Sequence, residues 1–165
     1  MPEKILNWKE TPKKWSILEC LEHLNRYSIY YNAEIEKSIL RAFKSDNSGV
    51  EAKSTWLGNR FIKMMHPDNT AKQKTFARMN PASSALNQST LDKFLQHQNE
   101  LLRLLQKASD VNLNKTSIPV EFIKLLKMNL GDGLQFVIVH ELRHINQAKR
   151  VKAAADALAL PILNA

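Results

Sequence analysis

An all-α fold, a four-helix bundle, is what three features of this sequence predict. Two segments, near the start and near the end of the chain, place apolar residues at helical intervals over many turns. Only 4 glycines and 6 prolines interrupt 165 residues, so long helices meet few breakers. The remaining apolar segments are amphipathic at the same period, and two extended polar connections separate them.

The first helix opens at Ser16, where Glu19 stands three residues on, the spacing of a capping box. Ile17, Cys20, Leu21, Leu24, Tyr27, Ser28, Tyr31, Ile35, Ile39 and Ala42 then form one stripe, so the helix is predicted to run from Ser16 to Lys44. Ser45 to Gly49 is a polar breaker. Trp56, Leu57, Phe61, Ile62, Met64 and Met65 define a shorter second helix that His66-Pro67 terminates, because the residue before a proline is pushed out of helical conformation. Residues 67–88 lack any period and read as a crossover, long enough to allow the second and third helices to run parallel.

A third helix begins at Ser89 or Thr90, carries Leu91, Phe94, Leu95, Leu101, Leu102, Leu104 and Leu105, and ends in the 110–114 loop. A short helical turn is expected after Pro119, broken by Gly131 and Gly133. The fourth helix is predicted from Asp132 to Leu160, where Pro161 stops it. Nothing in the sequence marks an internal repeat or a second domain, so one domain over residues 1–165 is expected.

Composition narrows the function. Hydrophobic residues at 44% and charged residues at 24% are ordinary for a globular protein. Residues 1–15 contain no apolar run of signal-peptide type, and no apolar segment approaches a membrane span; a cytoplasmic location is the expectation. The single cysteine, Cys20, cannot form an internal disulfide or a multi-thiolate zinc site. Lys and Arg total 24 against 16 Asp and Glu, a net charge of +8, but the cations (Lys13, Lys14, Lys72, Lys74, Arg78, Lys149, Arg150, Lys152) are scattered without aromatic interleaving. They read as solvated helix faces, with neither a nucleic-acid nor a membrane partner expected.

One motif carries chemistry, VHELRHINQ at 139–147. His140 and His144 are four apart, so on a helix they project from one face, which also bears Val137, Ala148 and Val151 and therefore looks into the bundle. Buried imidazoles need partners, and a divalent metal serves two at once; carboxylates or backbone groups in a metal-free core would serve as well. A third ligand is sought among His23, His66 and His97. His23 borders the core stripe of the first helix one turn before Tyr27, whereas His66 and His97 lie in polar, surface-type contexts, so His23 is the choice. HELRH also matches the zinc-peptidase signature, in which the glutamate is the general base. Those enzymes take a third ligand downstream, and after His144 the chain offers no histidine or glutamate, only Asp156. Glu141 would then be a solvent-facing residue, pointing about 100° away from His140.

Trp15-Ser16 with Glu19 and His23-Leu24, the WLGNRFIKMM segment at 56–65, the long loop before the third helix and LGDGLQFVIVHELRHINQAKRV at 130–151 together resemble the DinB/YfiT-like superfamily of metalloenzymes over nearly the whole chain. That resemblance implies a bundle of up-down-down-up topology and one metal, zinc or nickel, bound at His23, His140 and His144. It also implies chemistry of the kind assigned to some members, thiol-dependent transfer or isomerisation with a low-molecular-weight thiol.

Three neutral imidazoles leave a divalent ion with an open position, the arrangement of a catalytic site. The functional expectation is therefore a metal-dependent transferase acting on a small-molecule substrate with a small thiol. Two other readings stand beside it: a binding or interaction protein whose metal only fixes the bundle, and a metal-dependent hydrolase with Glu19, Glu22 or Glu141 as base. Cys20 reads as a buried apolar residue, Tyr27, Tyr30 and Tyr31 as core or pocket wall, and Gln147 and Asn25 as supports for the histidines or helix-surface residues. Homodimerisation is left open.

Overall fold

A computed structural model of the chain describes residues 1–42, 51–82, 84–121, 123 and 125–159. The helices are α1 (Glu3–Leu6), α2 (Ile17–Arg41), α3 (Trp56–Met65), α4 (Gln88–Ala108) and α5 (Leu130–Ala159). The breaker at 45–49, the end of the first helix at Lys44, and the Leu160-Pro161 stop lie outside the described residues. The helix starts follow from local chemistry. The Ser16 hydroxyl accepts from the Glu19 N–H while the Glu19 carboxylate accepts from the Ser16 N–H, closing the capping box. Thr55 caps α3 by accepting from the Gly58 N–H, and Asn87 caps α4 by accepting from the Ser89 N–H.

The segment after Pro119 departs from expectation. Ser117–Pro119 (β1) and Lys127–Asn129 (β2) pair antiparallel, with Ile118 opposite Met128 and both in the core. The helical reading of VEFIKLLKM fails because Ile118 and Val120 are buried while the intervening Pro119 is not, a period of two set by the core beneath. Leu125, at φ 70 and fully exposed, turns the chain back toward β2.

Helix directions also correct the up-down-down-up order. Asn25 meets Thr90 and Asn32 meets His97, so α2 and α4 run parallel. His23 meets His144, Tyr27 meets His140 and Tyr31 meets Phe136, so α2 and α5 are antiparallel. Thr55 meets Asp132 and Phe61 meets Phe136, so α3 runs parallel to α5. Successive helices therefore alternate in direction, and α3 is antiparallel to α4. The crossover between them leaves and rejoins the bundle at the same end: Arg26 of α2 donates to the carbonyls of Arg78 and Asn80, and Arg78 in turn reaches Glu121, after β1.

Two apolar clusters fill the interior. One, around Tyr31, Ile35, Leu104, Ile118, Leu130 and Phe136, sits under the hairpin; the other, around Leu18, Cys20, Leu24, Phe94 and Ala148, sits at the opposite end. His23 and His140 lie between them. Among the described residues no helix is long and apolar enough to cross a membrane.

Candidate metal centre

His23 is placed by the buried stripe of α2, and His140 and His144 by successive turns of α5. All three are buried, at 3%, 4% and 9% exposure, and their ring nitrogens lie within 4.8 Å of one another. Among the described residues no other histidine, cysteine or carboxylate joins this cluster. His66, at the end of α3, is exposed beside Asp68, and His97 lies beside Glu100 on α4; neither comes to the site.

Hydrogen bonds fix how two of the rings present themselves. The Met79 carbonyl, in a 3-10 turn of the crossover (Ala77–Met79), lies 2.7 Å from His23 Nδ1. A carbonyl can only accept, so Nδ1 carries the proton and Nε2 offers its lone pair to the interior. Gln147 Oε1, 3.0 Å from His144 Nδ1, does the same one turn along α5. His23 Nε2 then faces His140 Nε2 at 3.2 Å, close to the ~3.3 Å edge of a tetrahedron of nitrogens ~2 Å from a central ion. Trp15 covers His23 and His144 with ring-centre separations of 4.8 and 5.7 Å, while Tyr27 and Phe136 pack on His140 at 4.5 and 5.9 Å.

Burial in this aromatic shell, with Arg26 adding to it, holds the His23 imidazole down at about 4 even though the Met79 carbonyl favours its charged form. Burial, then the neighbouring His23, brings His144 to about 3, against the pull of Gln147. Burial, followed by His144 and His23, holds His140 well below the usual range. The three rings are therefore neutral near pH 7, the protonation state a metal ligand needs. Three converging lone pairs, two of them aimed by backbone or amide acceptors and none facing a carboxylate, suit a divalent transition ion.

Of the two readings left open for the neighbouring residues, Gln147 and Tyr27 stand against the histidine rings, whereas Asn25 does not: its amide donates to the Thr90 carbonyl and ties α2 to α4. Glu141 is not solvent-facing; it is half-buried and accepts from Gln98 of α4, away from the triad. Glu19 is occupied by Lys9 and the cap, and Glu22 by Arg26, so none of the three expected bases faces the rings. Trp15 stands out in the sequence only as part of the family resemblance, with no sign that it covers the histidines, and nothing there signals the Met79 carbonyl, which reaches His23 across 56 positions.

Cys20 is fully buried on α2, and burial, then the adjacent Glu19 charge, pushes its thiol up to about 12. It should resist a disulfide exchange reagent at about pH 8, where an exposed thiol of pKa ~8.5 reacts readily, and titrate only on unfolding. Stoichiometric labelling of the native chain within minutes would show that α2 opens at this point.

The rings form the floor of a cavity of about 1030 Å³ open to solvent, walled by the 10–15 segment, the end of α3, the crossover and α5. The family model of the DinB superfamily matches residues 1–148, and the chain belongs to that superfamily. No curated protein and no solved structure matches the chain.

Proposed function

We propose that His23, His140 and His144 hold one divalent metal ion and that the protein is a metal-dependent transferase using a small thiol. The observation that carries this reading is the convergence of three neutral imidazoles, from the first and last long helices, at the floor of an open cavity. A sealed structural zinc site takes four protein ligands; three beneath an open cavity is the catalytic pattern. An ion held there supplies the positive charge that lowers the pKa of a thiol and so yields the nucleophilic thiolate at neutral pH.

The chain's own groups do the rest. Met79 and Gln147 keep the Nδ1 protons of His23 and His144 turned outward, which fixes ring orientation. Trp15 and Tyr27 exclude water from one side of the rings. The Tyr27 hydroxyl, pushed up to about 12 by burial and then by Glu121, stays protonated at the cavity wall as a donor to substrate. The hydrolase alternative needs a carboxylate base beside the ion, and Glu19, Glu22 and Glu141 are all engaged elsewhere.

The test assays a panel of small thiols against a chlorinated nitroarene, alongside metal analysis of the purified protein. Thiol consumption should stop on chelation, return with zinc or nickel, and fall by at least about 100-fold in His23→Ala, in line with loss of a direct ligand. A rate indifferent to both chelation and His23→Ala would defeat the proposal.

A further inference from the structure

The cations that look scattered in sequence do not stay apart in the fold. Lys13 and Lys14 from the segment before α2, Lys72 and Lys74 from the crossover, and Arg143 and Arg150 from α5 all line the one cavity above the histidines. Glu10 is the only carboxylate among its described lining residues, and it is paired with Lys14 at 2.7 Å. Among the described residues, Lys13, Lys72, Lys74 and Arg150 form no ion pair with a carboxylate. Arg143 donates to the carbonyls of His66, Asn69 and Ala71, which anchor it without cancelling its charge.

Such a concentration of one sign in a concave site focuses the field and raises the local concentration of the opposite charge. Elsewhere on the chain several cations are paired with carboxylates: Arg103 and Lys107 share Glu36, Lys37 pairs with Glu34, and Lys152 with Asp156. The volume suits a small molecule, since ligand pockets run to roughly 300–1,000 Å³.

From this we propose that the cavity selects a small dianionic substrate, a compound bearing two carboxylate or phosphate charges whose acid groups seat on the Lys72–Lys74 and Arg143–Arg150 walls while its reactive atom reaches the histidine floor. The inference rests on the triad cavity being the substrate site named above, but it does not require thiol transfer. The acid groups belong either to the thiol or to its electrophile.

Binding separates these questions from turnover. Metal-loaded protein is titrated with naphthalene-2,6-disulfonate, a dianion that is a weak metal ligand, and with the neutral disulfonamide of the same shape. The dianion should bind at least about tenfold more tightly, lose that advantage in high salt, and lose it in Lys72→Glu/Lys74→Glu and in Arg150→Glu. Lys93→Glu/Lys115→Glu, exposed positions outside the cavity with the same change in net charge, should leave it intact. Equal affinity for the two probes, or equal loss in the control, would overturn the proposal. So would displacement of the dianion by stoichiometric oligonucleotide, which would assign the cations to a polymer. In the rate assay, a dianionic thiol with a neutral electrophile and the reverse pairing identify the charged reactant: Lys72→Glu/Lys74→Glu raises KM about tenfold only in the arm that carries it. Dianion binding without thiol transfer would sink the transferase reading alone.

Discussion

His140→Ala is expected to cut the thermal response of the protein to metal to about a third. An ion that binds only the folded state stabilises it by about 4 kcal/mol when present at a thousand times its dissociation constant. For a chain of this length each kcal/mol is worth roughly 2–4 °C, so loading the wild-type protein should raise Tm by about 8–16 °C. Loss of a group that merely orients a ligand weakens metal binding about 10–100-fold, and His140 is proposed as a ligand itself. A loss of at least about 100-fold removes about 2.8 kcal/mol of that stabilisation, which leaves a shift of roughly 5 °C or less. The comparison is made between metal-free and metal-loaded forms of each variant, so any cost of the vacated ring volume cancels. A full shift and undiminished metal content in His140→Ala would mean that the ion binds elsewhere.

The second large effect lies at the other end of the bundle, where α3 and α5 come together. A methyl group at Gly58 would stand 2.0 Å from Asp132 Cγ and 2.1 Å from its Oδ2. That carboxylate is not free to move. Asp132 is 1% exposed, and its Oδ2 accepts from the Thr55 N–H at 3.0 Å and hydroxyl at 2.7 Å, while Thr55 in turn caps α3 through the Gly58 N–H. Alanine in place of a helical glycine gains about 1 kcal/mol of propensity. Against this stand about 1–3 kcal/mol for overpacking and about 1–3 kcal/mol for a buried carboxylate deprived of its donors. The losses win. Gly58→Ala should lower stability by about 2–4 kcal/mol, a fall in Tm on the order of 10 °C, read by thermal or urea unfolding. In an Asp132→Ala background the same change should cost much less, since the obstructing group is gone; equal costs in the two backgrounds would show that the closeness of α3 to α5 is not set by this contact.

What the sequence could determine was whatever depends on neighbours within a few positions. Ser16 and Glu19 announce the start of α2 because a capping box closes over three residues. His140 and His144 declare a shared face because one turn of helix separates them, and Val137 and Ala148 on that face are indeed buried. His23 could be chosen over His66 and His97 from its place beside an apolar stripe, again a local criterion.

The tertiary structure decided what local rules cannot reach. Ile118 and Met128 became strand partners because the core beneath them demanded alternation, which overrode the helical propensity of the intervening segment. The Met79 carbonyl, Trp15 and the cationic wall were assembled from segments far apart in the chain, and only the return of the crossover to the histidine end of the bundle brought them onto one cavity. Periodicity fixes which face of a helix is buried, but it carries no information about which loop arrives opposite that face. Long-range packing and backbone hydrogen bonds settle that choice.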